Sequence, residues 1–162
     1  VRGQVYFERD ILAPQLERLN VQAFRYDGYV ARISSMKSYF NENMKMLDDV
    51  NVDALFSAGN PIYTKIRDDN PARYINGSKV SNIMAADGCI IEGEVENSIL
   101  FRGVKVGKGA WVKNCVLMQD TVIEADAGVE YVVTDKNATI TRGKIIKGTV
   151  TFPVYVAKYQ IV

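Results

Sequence analysis

Any chemistry in this 162-residue chain has to be done without imidazole, because the sequence contains no histidine. That removes the common His-based devices: catalytic triads, imidazole general bases and His metal sites. The two cysteines, Cys89 and Cys115, lack metal-ligand spacing and are too few for a disulfide framework. They are expected to be free thiols in a reducing cytoplasm, each filling a small apolar site. No G-x-G-x-x-G or P-loop is present to cradle phosphate on backbone amides. Twenty Lys and Arg against nineteen Asp and Glu leave a net charge of +1, a balance that points to neither nucleic acid nor an anionic membrane. No apolar run reaches the roughly 18 residues of a membrane span, and no charged start precedes an apolar signal segment. The chain begins at Val1 rather than Met, so it is expected to be a fragment or processed product, any active site then lying upstream.

Hydrophobic residues make up 48% and charged residues 24%, a globular mixture sufficient for one domain or two small ones. Ile11, Leu12, Leu16 and Leu19 recur at helical spacing, and Pro14 predicts a helix that starts near it and stops at Asn20. Val21 to Tyr26 is rich in strand formers and ends at the Asp27-Gly28 turn. From Ser34 or Ser35 as N-cap, Met36, Tyr39, Phe40, Met44 and Leu47 trace the apolar face of a second helix reaching Asp48 and Asp49. The turn cluster Ser57 to Pro61 then ends the helical spacing. We therefore place a boundary there, with one unit at residues 1–57 and another at 58–162.

The second unit repeats itself every 17 residues. One column reads Cys89, Val106, Ile123, Ile140; a second Val95, Val112, Val129, Ile146; a third Ile99, Val116, Val133, Val150. Asn97 aligns with Asn114, and Glu92, Gly109, Asp126 and Gly143 form a column of turn type. Each period divides into two steps of six and one of five, a hexapeptide pattern with three short strands per coil. A single coil cannot bury its apolar face, so coils stack through parallel ladders about 4.8 Å apart around a common interior. The spacing leaves the hand of the coil open.

The run S-K-V-S-N-I-M-A-A-D-G-C-I-I-E-G-E-V-E-N-S-I-L-F-R-G-V-K-V-G-K-G-A (Ser78 to Ala110) resembles the start of the C-terminal β-helix of bacterial ADP-glucose pyrophosphorylase, glucose-1-phosphate adenylyltransferase. So does V-T-D-K-N-A-T-I (Val133 to Ile140). Y-D-G-Y-V-A-R-I-S-S-M-K-S-Y-F-N-E-N-M-K-M-L (Tyr26 to Leu47) resembles the end of that family's nucleotidyltransferase domain, and P-I-Y-T-K-I-R-D-D-N-P (Pro61 to Pro71) the entry to its β-helix. Among its subtypes the chain looks most like the GlgD-like, regulatory-type subunit. The resemblance implies a mainly β fold, a left-handed parallel β-helix of hexapeptide repeats preceded by an α/β remnant of the nucleotidyltransferase domain.

Catalytic subunits of that family carry Asp-Val-Gly-Thr before the helix that reads here as Met36 to Leu47, and the Asp resembles a magnesium ligand. Alignment through Tyr39 and Phe40 puts Arg32, Ile33, Ser34 and Ser35 at those places. A guanidinium cannot ligate Mg²⁺ and repels it. Asp27, just before Gly28, reads as a turn former. The resemblance therefore implies no catalytic residue and no cofactor in this stretch, with Mg²⁺ belonging to a catalytic partner subunit. It implies a homo- or hetero-oligomer and a phosphorylated sugar or nucleotide effector, for which Lys65, Arg67, Arg73 and Lys79 offer cations where the helical part joins the β-helix. Asp68, Asp69 and solvent would neutralise the same cations in a purely structural module without ligand, the alternative reading. Hexapeptide acyltransferases and carbonic anhydrases share the β-helix, but they resemble enzymes that need the histidines missing here.

Overall fold

The computed structural model describes residues 3–56, 59, 61–64 and 66–162. Its first part is helical and irregular. A wide helical turn, Phe7–Leu12, runs straight into a 3-10 turn, Ala13–Gln15. Helical structure thus begins ahead of Pro14, which occupies an early position of the second turn, where its missing N–H costs nothing. Residues 21–26 form no strand; Phe24 is 89% exposed, and no neighbouring strand among the described residues offers them a ladder. The second helix forms as expected: α1 spans Met36–Met44. Ser35 caps it, its Oγ accepting from the Ser38 amide while the Ser38 hydroxyl accepts from the Ser35 amide. A 3-10 turn, Lys45–Leu47, follows. Asp48 then caps a further helix, α2 (Asp49–Leu55), beyond the expected helix end at Asp48 and Asp49. In the turn cluster placed at the unit boundary, Ser57, Ala58 and Asn60 lie outside the described residues.

The remainder is a parallel β-solenoid. Its first coil contains β1 (Arg73–Tyr74) and β2 (Lys79–Ala85), its second β3 (Ile90–Ile91) and β4 (Glu94–Leu100). The third holds β5 (Lys105–Val106), β6 (Trp111–Lys113) and β7 (Val116–Leu117). The fourth holds β8 (Val122–Ile123), β9 (Gly128–Glu130) and β10 (Val132–Thr134), and the fifth β11 (Thr139–Ile140), β12 (Ile145–Lys147) and β13 (Val154–Val156). Face 1 stacks β1, β3, β5, β8 and β11. Face 2 stacks the first halves of β2 and β4 with β6, β9 and β12; face 3 stacks their second halves with β7, β10 and β13.

The second column stands as expected: Val95 pairs with Val112, Val112 with Val129, and Val129 with Ile146. The others need correction. Ile91, not Cys89, pairs with Val106, because only Glu92 and Gly93 separate β3 from β4 and the register there is 15 residues. Glu92 consequently leaves the turn column. At the far end Val133 pairs with Tyr155, not Val150, because residues 148–153 loop out where Tyr131 alone connects the faces one coil earlier. The run from Thr151 continues the ladder: β13 pairs with β10, and Ile161 bridges to Thr139.

The interior is mainly aliphatic. Val106, Val112, Ile123, Val129 and Ile140 are all buried, and Ser98, Cys89 and Cys115 fill it as small inward side chains. Burial pushes the Cys115 thiol up to about 12, and it donates to the Lys113 carbonyl at 3.0 Å. The few buried hydroxyls are satisfied: Ser98 Oγ accepts from the Cys115 amide at 2.9 Å, and Thr121 and Thr134 bond each other at 2.8 Å. The third column faces the other way. Ile99, Val116 and Val133 lie on the outer side of face 3, where α1 covers them and Phe40 packs against Val116 and Val133. That outward apolar stripe is what holds the helical part to the solenoid.

Each corner carries a column of left-handed residues. Gly109, Asp126 and Gly143 form one, joined by Gly77 in place of Glu92; Asn82, Asn97, Asn114 and Tyr131 form the second; Gly88, Gly103, Asp120, Asn137 and Tyr159 form the third. Asn and Asp tolerate this conformation better than other side chains. At the second corner the amides also bond upward: Asn82 donates to Asn97 at 2.8 Å, and Asn97 to Asn114. Tyr131 ends that ladder and turns its ring toward Phe40, centroid to centroid 6.2 Å.

Val112 stands at the middle of the interior with no accessible surface. Val112→Asp is expected to cost at least about 3 kcal/mol, since a buried carboxylate would have no partner. Denaturant unfolding measures the cost, and a variant that melts cooperatively near the parent's midpoint would contradict this interior.

Candidate functional site

The outer side of face 2 presents two columns, because the first and third residue of each short strand point outward while the second points in. The first column reads Lys79, Glu94, Trp111, Gly128, Ile145; the second reads Ser81, Glu96, Lys113, Glu130, Lys147. Beside the first column the corner of the second coil is pulled in, since Glu92 and Gly93 replace the four residues that turn this corner in the coils above and below. Gly93 is required there: a Cβ would collide with the carbonyl oxygens of Ala110 and Gly107. A groove of about 590 Å³ results, with Lys79 and Glu92 at one side and Trp111, Lys113 and Lys147 across its floor.

Trp111 is the sole tryptophan, and its ring lies flat across Gly128, where any Cβ would meet the indole. Lys147 Nζ stands 5.1 Å from the ring centroid, a cation–π contact, and also 3.3 Å from Glu130. Lys113 pairs with Glu96 at 3.2 Å and reaches Glu94 at 3.9 Å. Glu96 chiefly, then Glu94 and Glu130, raise the Lys113 ammonium above its ordinary pKa, so it stays charged throughout the neutral range. An indole face beside ammonium groups suits a ligand with an anionic group and a ring, or a complementary protein surface.

Of the cations expected to bind phosphate, the three described, Arg67, Arg73 and Lys79, come from different segments of the entry to the solenoid. Lys65 lies outside the described residues. Arg67 donates to Asp69 at 3.0 Å. Arg73 is exposed on face 1, in β1, and Lys79 is exposed on face 2, so the two flank the first corner from different sides. The structure brings Lys79 instead to Trp111, Lys113 and Lys147, which the sequence reading missed. Their signal was available in the outward positions of the 17-residue period, one residue either side of the valine column.

Arg32 is exposed in the extended segment that leads into α1. Asp27 is engaged by Arg25 at 2.8 Å on the surface. Among the described residues no three Asp, Glu, Cys or His side chains converge to hold a metal ion. The Arg32 guanidinium cannot itself ligate Mg²⁺, whose octahedral shell takes carboxylate and water oxygens.

A model of the family described as GlmU-like, C-terminal hexapeptide matches residues 66–149. The glycogen biosynthesis protein GlgD of Bacillus subtilis (strain 168) is 40% identical over 140 residues, covering 86% of this chain and 41% of that protein. The GlgD of Geobacillus stearothermophilus is 50% identical over 70 residues, 43% of this chain and 20% of the relative. Glucose-1-phosphate adenylyltransferase of the same organism is 38% identical over 110 residues, 66% of this chain and 28% of the enzyme. The chain thus spans less than half the length of these relatives. No helix among the described residues is long and apolar enough to cross a membrane.

Because Trp111 rests on Gly128, Gly128→Ala is expected to swing the ring outward, shift its emission to longer wavelength and cost about 1–2 kcal/mol. Fluorescence and denaturant unfolding read both effects. An unchanged spectrum would show that the ring does not lie there.

Proposed function

We propose, from the premise that this chain belongs to the GlmU-like C-terminal hexapeptide family, that it is the regulatory and assembly portion of a glucose-1-phosphate adenylyltransferase subunit in glycogen biosynthesis. The reaction served is ATP plus glucose 1-phosphate giving ADP-glucose and pyrophosphate. The observation that carries the reading is the 40% identity to a GlgD over 140 residues, and the resemblance that sets Arg32 in the place of a catalytic subunit's metal-binding Asp supports it. Nucleotidyl transfer needs a cation to neutralise charge developing on phosphate oxygens. A subunit with a guanidinium at that place turns over slowly by itself and acts by modulating a catalytic partner that holds Mg²⁺.

In this reading the boundary near residue 58 separates the end of the nucleotidyltransferase domain from a left-handed β-helix that carries subunit contacts, and the protein works in the cytoplasm. Arg73 and Lys79, exposed on either side of the first corner, bind the phosphate of a sugar or nucleotide effector together with Lys65 and Arg67. The Arg67–Asp69 ion pair favours the competing reading, a structural module with no ligand, because it already occupies one of the four cations.

The test is ADP-glucose synthesis with Mg²⁺ by the full-length protein alone, by an adenylyltransferase partner alone, and by the two mixed. Alone, the protein is expected to run at least about a hundredfold slower than the partner, and the mixture to differ from the partner in rate or effector response. Arg73→Ala with Lys79→Ala is expected to raise the half-saturating effector concentration about tenfold. Robust turnover by the isolated protein, or a mixture indistinguishable from the partner, would contradict the regulatory role. An unchanged effector response in the double variant would favour the module without ligand.

A further inference from the structure

The second outward column of face 2 alternates in sign coil by coil: Glu96, Lys113, Glu130, Lys147. Within one chain this alternation makes the pairs Glu96–Lys113 and Glu130–Lys147, at 3.2 and 3.3 Å. It has a second property. Read from the opposite end the column becomes plus, minus, plus, minus, the complement of itself.

We propose that face 2 is an isologous docking surface for a second copy of this chain, with the two-fold axis parallel to the strands and the solenoid axes antiparallel. That axis sets each outward column against its own copy in reverse order. Glu96 then faces Lys147 of the second copy, Lys113 faces Glu130, and the two remaining contacts repeat these by symmetry. The two Trp111 rings, each lying across Gly128, meet at the centre. The other face-to-face two-fold, along the solenoid axis, sets the first column against the second coil by coil. It places Glu94 against Glu96, a like-charge contact that the antiparallel arrangement avoids by setting Glu94 against Ile145, so charge selects the antiparallel arrangement.

The side chains involved are accessible: Glu96 retains 52% of its side-chain exposure, Lys147 57%, Lys113 38% and Glu130 29%. Ile145 is 59% exposed beside them. The helix α1 packs on β4 and β7, with Phe40 against Val116 and Val133 of face 3. Five strands about 4.8 Å apart make a strip roughly 20 Å long, smaller than the roughly 800 Å² per partner of a standard stable interface. Face 2 alone therefore supports a contact of micromolar strength that weakens as salt screens it. The inference stands on the solenoid and does not draw on the reaction proposed above.

Sedimentation velocity of the full chain over a concentration series, at low and high salt, tests it through a charge swap. Lys113→Glu sets carboxylate against carboxylate twice across the axis, and Glu130→Lys sets ammonium against ammonium twice. Each variant alone is expected to dimerise at least tenfold more weakly than the parent. Mixed with each other, the two variants have fully complementary columns and are expected to associate as heterodimers. Lys113→Gln, which adds no repulsion inside the ladder, is expected to weaken dimerisation less, and circular dichroism melts check that each variant is folded. A parent that stays monomeric at high micromolar concentration, single variants that dimerise like the parent, or a mixture that stays monomeric would each overturn the proposal. Association seen only when an adenylyltransferase partner is added would overturn it too, because that assigns the face to a different protein.

Discussion

A short parallel coil can turn a tight corner only if a residue in it enters the left-handed region of backbone space, and the molecule depends on this condition being met coil after coil. Gly, Asn and Asp meet it at little cost, and they fill most of the three corner columns. Once the corners superpose, the strands of neighbouring coils fall into parallel register. The backbone ladder then closes and the valine columns come to rest on one another. Departures from the rule are where the surface acquires features. A corner shortened to Glu92 and Gly93 opens the groove beside Trp111, and a lengthened connection after β12 makes the loop at residues 148–153.

The apolar interior was legible because its period is enforced by stacking, and the column from Val95 to Ile146 could be read from spacing alone. Cys89 was misplaced for an instructive reason. It is buried and apolar, as is Ile91, so a fixed 17-residue step finds an acceptable residue even though the chain has dropped two from the corner. Val150 was misplaced by the longer connection in the same way. The outward direction of Ile99, Val116 and Val133 was hidden because face 3 is apolar on both sides: its inner side meets the core and its outer side meets α1. The segment 21–26 has strand composition but no strand beside it, and composition cannot supply a ladder partner.

The candidate site was less visible. Lys79 was found from its charge, but its neighbours in space are residues of later coils, brought to it by stacking and not by sequence proximity. Trp111 could have been recognised from Gly128, one period on, since a large ring and a glycine in successive places of one outward column complement each other in volume. The alternating charges of the adjacent column carry information of the same kind. They stabilise the single chain only modestly, as exposed ion pairs do, yet their order fixes which second surface can approach.

The stability difference between Asn114→Gly and Asn114→Ala tests the corner condition most directly. Both substitutions remove the same amide from the ladder, so their difference isolates the cost of the left-handed backbone at φ 50°. Denaturant unfolding of the two variants is expected to place the glycine variant about 1 kcal/mol above the alanine variant. An alanine variant as stable as the glycine variant, or more so, would contradict a solenoid built on left-handed corners.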